Sequence, residues 1–185
     1  MTIDITISFV IRFLLVFIFL RAALHKVNHY QHFKVQLRTY RLLPDSLVPA
    51  FTIFLIFLEG ILSFTLPIAG WLYPSYIAAA VLVLYASAMA VNLLNGRSDL
   101  DCGCSGPWGF PQTISWSRVV RNTVLAILAV ATAWPDTFRD ISIQDGSTIS
   151  LASIAVIFIY ASIEQAFANQ QRQRRYFALR AEVNS

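Results

Sequence analysis

Charge is scarce in this chain. Of its 185 residues only 13% are Asp, Glu, Lys or Arg, against 57% hydrophobic, and the mean hydropathy is +0.61. Soluble domains carry roughly 25% charged residues, so a water-facing surface on all sides is excluded. Cysteine is absent except for Cys102 and Cys104. Their separation of two residues closes too small a loop for the pair to serve as a staple. The first apolar segment, "ITISFVIRFLLVFIFL", lacks a basic leader and a small-residue cleavage site and contains Arg12. It reads as a retained helix. Repeats, low-complexity tracts and long linkers are also missing, which leaves one integral membrane domain over residues 1–185.

What is present is a series of apolar runs close to the roughly 20 residues that cross a bilayer. Five spans are expected, at about 5–24, 47–69, 73–95, 118–135 and 149–169, with a cysteine loop at 96–117. The fold class is all-α, a polytopic helix bundle, because open strands leave backbone groups unsatisfied in lipid. The fourth span is short and begins with Arg118 and Arg121. Small residues in "YIAAAVLVLYASAMA" suit close helix packing.

The basic residues are placed unevenly. The net charge of +4 suggests nucleic acid only until these residues are located at the ends of apolar segments. Between the first two spans, Val27, Tyr30, Phe33, Leu37 and Tyr40 recur at steps of three or four, with Lys26, Lys34, Arg38 and Arg41 on other faces. This is a basic amphipathic helix expected at headgroup level, stopped by Pro44. The tail "QQRQRRYFALR" reads as a basic continuation of the last helix. With five spans, twelve of the fourteen Lys and Arg fall on one face, and Arg139 alone faces the other beside Asp4, Asp136, Asp140 and Asp145. The positive-inside rule puts the basic face, and the cysteine loop with it, in the cytoplasm.

Two charges fall inside apolar spans. Arg12 and Glu59 each lie roughly 17 Å from the basic ends of their helices, at 1.5 Å per residue, so an ion pair between them is expected. Such a pair is either a clamp between two helices or a proton or substrate relay at the base of a pocket.

Three readings of Cys102 and Cys104 stand side by side. They are incidental thiols, a redox pair, or metal ligands. Alpha carbons two residues apart fit the disulfide range, the small ring is strained, and strained disulfides exchange readily. Gly103 supplies backbone freedom, and Arg97, Arg118 and Arg121 favour a thiolate. The metal reading adds His25, His29 and His32, which share a face with the loop, to make a zinc or soft copper site.

The succession "RFLLVFIFLRAALHKV", "YRLLP", "LEG", "NLLNGRSDLDCGCSG" and "RNTVLAILAV" resembles the methylamine utilisation protein MauE family over about residues 12–130. Its wider relatives are DoxX-like membrane proteins and, more distantly in architecture, four-helix quinone-linked thiol oxidases. The resemblance implies a multi-pass inner-membrane protein for processing, transport or maturation of the methylamine dehydrogenase beta (small) subunit. It also implies action alongside the thioredoxin-like partner MauD. Residues matching the family pattern are Arg12, Lys26, Glu59, Cys102 and Cys104. The rival readings are a non-enzymatic membrane scaffold or escort and a Cys/His metal-handling protein. The beta subunit is periplasmic, whereas the charge bias turns the cysteine loop to the cytoplasm. Three routes reconcile them: the loop dips into the membrane, a quinone cofactor bridges the distance, or the span count differs by one.

Overall fold

A computed structural model describes residues 4–68, 72–98, 100, 113–133 and 143–183. Six helices make up the described chain: α1 (Ile5–Asn28), α2 (Tyr30–Tyr40), α3 (Val48–Thr65), α4 (Tyr73–Leu94), α5 (Trp116–Ala131) and α6 (Ile143–Val183). Local chemistry sets several of their ends. Asp4 caps α1 by accepting from the Thr6 amide at 2.8 Å. Arg41 closes α2 in the left-handed region, at φ 54°, with Pro44 beyond it. Pro49 and Pro74 stand in the first turns of α3 and α4, where a missing amide hydrogen costs nothing.

Side-chain contacts show how the helices alternate. Arg12 on α1 reaches Ile68 just past α3, and Lys26 at the far end of α1 reaches Glu59, so α1 and α3 run antiparallel. Ser75 at the start of α4 bonds Thr132 at the end of α5, at 2.9 Å. Arg121 at the start of α5 meets Glu164 in the second half of α6. The chain therefore passes back and forth through five helices, with α2 folded between α1 and α3.

The core lies where α1, α3, α4 and α5 converge, around Leu15, Phe19, Leu62, Leu66, Val81 and Leu125. Ala78 and Ala79 on α4 and Ala126 and Ala129 on α5 are buried in the same cluster, and their small side chains let the two backbones close up. Of the small residues in the α4 run, Ala86 is also buried while Ala80 and Ser87 face outward. The outer surface is apolar: Phe57, Phe64, Leu94, Leu151 and Phe158 are each more than half exposed. Lipid is the solvent in which such a surface is stable, and this is a multi-pass membrane protein.

Five long helices correspond to the five expected spans, with shifted ends. Four helices are long and apolar enough to cross a membrane: α1, α3, α4 and α6 as far as Gln170. The fifth, α5, has 16 residues, about 24 Å of helix, and packs along α4. α6 starts at Ile143 and runs unbroken to Val183, so the basic tail does continue the last helix. The expected amphipathic segment is divided at His29: Val27 and Lys26 belong to the last turn of α1, and Phe33 and Tyr40 on α2 are buried.

Candidate functional site: a buried Lys–Glu–Tyr centre

Glu59 is fully buried in the middle of α3. An isolated carboxylate there would cost several kcal/mol, and its neighbours show how that cost is offset. Lys26, 1% exposed, donates to both carboxylate oxygens, at 2.6 Å to Oε1 and 2.7 Å to Oε2. Tyr85 on α4 donates its hydroxyl to Oε1. The Lys26 ammonium also stands 5.0 Å from the Phe33 ring centre and 5.3 Å from that of Tyr85, within cation–π range. One side chain from each of α1, α2, α3 and α4 thus meets at this point.

The expected Arg12–Glu59 pair is replaced by Lys26–Glu59. The expectation took α1 to end in the plane where α3 begins. Instead the last turn of α1, which carries Lys26, comes level with Glu59, well into α3, so α3 starts farther toward the basic face than α1 ends. Arg12, 14 residues before Lys26, is then about 21 Å away along the axis. There it donates to the carbonyls of Ile68 at 3.0 Å and Thr132 at 2.9 Å, where α3 and α5 terminate. A cation is favoured at such ends, where unpaired carbonyls gather. Lys26, expected on a headgroup-facing side, is instead an internal residue.

A second charged centre lies at the start of α5. Arg121 pairs with Glu164 at 2.9 Å, and the buried Arg118 lies 3.9 Å from the same carboxylate. Arg121 also donates to the Asn122 side chain. The countercharge for these basic residues of α5 comes from α6. Glu164→Gln is expected to loosen α6, costing about 1–3 kcal/mol, because Arg121 can still reach toward the interface. Faster amide exchange confined to α6 would show it; unchanged exchange there would refute it.

Cys102 and Cys104 lie outside the described residues. The residues flanking their segment do not. The Ile114 amide donates to the Leu100 carbonyl at 2.8 Å, so the chain leaves and re-enters the bundle at one place. That place is seated on Tyr40 and Met89. Of the expected histidines, His25 and His29 bring their rings to 4.7 Å, and His32 is exposed. Among the described residues no group of three or more His, Cys, Asp and Glu comes together as a metal site.

Tyr85 carried no signal in the sequence, being one tyrosine in an apolar helix. A buried acid on α3 requires a donor from whatever helix covers it, and that neighbour is decided only by packing.

The model of one family, "Methylamine utilisation protein MauE", matches residues 5–135. The chain belongs to the MauE family. The matched stretch takes in α1 to α5, the Lys26–Glu59–Tyr85 centre and the cysteine pair, and stops short of α6 and Glu164. Similar curated MauE proteins include one from Paracoccus denitrificans, 36% identical over 82% of each chain. Others are those of Methylorubrum extorquens, 35% identical over 67% of each chain, and Paracoccus versutus, 35% over 84% of each. All three are called methylamine utilization proteins. No solved structure matches the chain.

Proposed function

We propose that this MauE family member serves methylamine utilisation by maturing the methylamine dehydrogenase beta subunit. It does so by thiol–disulfide exchange at Cys102 and Cys104 with the thioredoxin-like partner MauD. The observation that carries the reading is the placement of the chain's two cysteines. They occupy one short segment of the family-matched region, and the ends of that segment are pinned together on the bundle at Leu100 and Ile114. Two cysteines separated by one residue, between flanks joined at Leu100 and Ile114, suit exchange better than stapling.

The step balances within the two proteins. A thiolate of the pair attacks a partner disulfide, forming a mixed disulfide and releasing one partner thiolate. The second thiolate then displaces the first sulfur from the partner. The Cys102–Cys104 pair is left oxidised, and the partner gains two electrons and, from water, two protons. The reverse sequence returns them.

Cys102→Ser with Cys104→Ser, in cells growing on methylamine, is expected to lower mature beta subunit at least tenfold while the variant still accumulates in the membrane. Normal dehydrogenase from that double variant overturns the exchange reading. A scaffold reading draws on α6, which continues as helix to Val183 past the apolar stretch ending at Gln170. It requires MauD to co-purify equally well without the thiols. An impermeant thiol reagent applied to intact cells after mild reduction reports the side. Labelling only after the cells are opened fits the charge asymmetry.

A further inference from the structure

Beside the Lys26–Glu59–Tyr85 centre, a groove of about 210 Å³ opens between α2, α3 and α4. Gln36 aside, its walls are aromatic and aliphatic. Phe33 and Tyr85, which touch the buried ion pair, mark its inner end. Leu55 on its α3 wall lies seven residues past Val48, so the groove reaches about 10 Å beyond the start of that helix. Leu84 on the α4 wall is nearly half exposed and leaves one side open to lipid.

At the mouth the chemistry changes. Leu43, on the groove wall, also lines an open hollow whose other walls include Arg38, Arg41, Pro44 and Asp45. The hollow lies on the turn that leads into α3, where the apolar run begins and headgroups are expected. Arg38 and Arg41 are both exposed. Arg38 Nε stands 3.8 Å from Asp45 Oδ1, a long and water-exposed pair that binds weakly. Two guanidinium groups against one carboxylate leave the hollow with a single net positive charge.

We infer that the hollow and the groove together bind one phospholipid with a single net negative charge, such as phosphatidylglycerol. Its phosphate meets Arg38 and Arg41, and one of its acyl chains lies along the groove. Each requirement comes from the walls. Guanidinium groups bind phosphate oxygens through charge-assisted hydrogen bonds. The uncompensated positive charge selects an anionic headgroup over a zwitterionic one. The groove is smaller than the roughly 300–1,000 Å³ of sites that enclose a whole ligand, so it takes part of one chain and the rest stays in the bilayer. Leu43, common to both spaces, joins them into one site. A chain in the groove also covers Tyr85, so that lipid rather than water closes this flank of the buried ion pair. The inference concerns lipid binding alone and stands whether or not the cysteines exchange.

The test uses the full chain in phosphatidylcholine nanodiscs that contain a small, equal fraction of one of two photoreactive lipids. These are phosphatidylglycerol and phosphatidylcholine, each with a diazirine at the middle of one acyl chain. Label is expected on peptides from residues 33–43, 51–55 and 84–89, about tenfold more from the anionic lipid. Arg38→Gln with Arg41→Gln should bring that label down to the phosphatidylcholine level. Arg180→Gln, an exposed basic residue outside the hollow, should leave it unchanged. Leu84→Trp, which fills the groove from α4, should remove label from these peptides at a wild-type thermal unfolding midpoint. Equal labelling by the two lipids, or label spread evenly over the lipid-facing helices, would overturn the site. Loss of the preference on adding inorganic phosphate would assign the hollow to a free anion and overturn the lipid reading.

Discussion

Glu59→Ala is expected to cost the fold about 3–5 kcal/mol, the usual penalty for stranding one member of a buried ion pair. Lys26 is held at 1% exposure by the closure of α1, α2, α3 and α4 around it. Without the carboxylate, its ammonium loses two short hydrogen bonds and keeps, among the described residues, the Phe33 and Tyr85 rings. Thermal unfolding of the purified protein in detergent should show a midpoint lowered by many degrees. Glu59→Gln should cost less, since its carbonyl still accepts from Tyr85 or Lys26. The double variant Lys26→Met with Glu59→Leu should regain most of the loss, because apolar replacement of a buried pair is often neutral. An unchanged midpoint for Glu59→Ala would refute the buried pair as a stabilising contact. The double variant also separates the two roles of this centre. On the proposed function, full beta-subunit maturation by a folded Lys26→Met/Glu59→Leu protein means a clamp, and loss of maturation with intact folding means a relay.

The second large effect is at the other end of α1. Arg12→Met should cost about 2–4 kcal/mol, given about 1.5–3 kcal/mol for each hydrogen bond to a charged group. The guanidinium fork reaches two carbonyls from two helices, Ile68 beyond α3 and Thr132 at the end of α5. Arg12→Lys should recover little, because one ammonium on a single stem lacks the planar fork that spans both. Amide exchange should rise at the ends of α3 and α5 together. A rise at neither end, with a wild-type unfolding midpoint, would show that the bridge contributes nothing.

Both effects concern residues that the sequence marks as unusual while leaving their partners open. Arg12 and Glu59 stand out because a charge in an apolar run demands a partner. Lys26 stands out only by matching the family pattern, since it sits in a stretch with Lys34, Arg38 and Arg41 that reads as basic positions of one amphipathic helix. The structure divides that stretch at His29, turning Lys26 inward on α1 and leaving Arg38 outward on α2. Arg118 and Arg121 likewise read as flanking charges, yet Glu164, more than 40 positions away, draws them into the bundle. Even with Lys26 and Arg118 withdrawn, basic residues on that face still outnumber the single Arg139 opposite, so the charge asymmetry persists.

The sequence by itself determined the solvent and the helical class. Each of these follows from the length and polarity of single segments: an apolar run of bilayer length must bond its own backbone, and in lipid it does so as a helix. The tertiary structure alone decided which acid meets which base. Partnership depends on the relative heights of different helices. Those heights are a packing outcome that no single segment encodes.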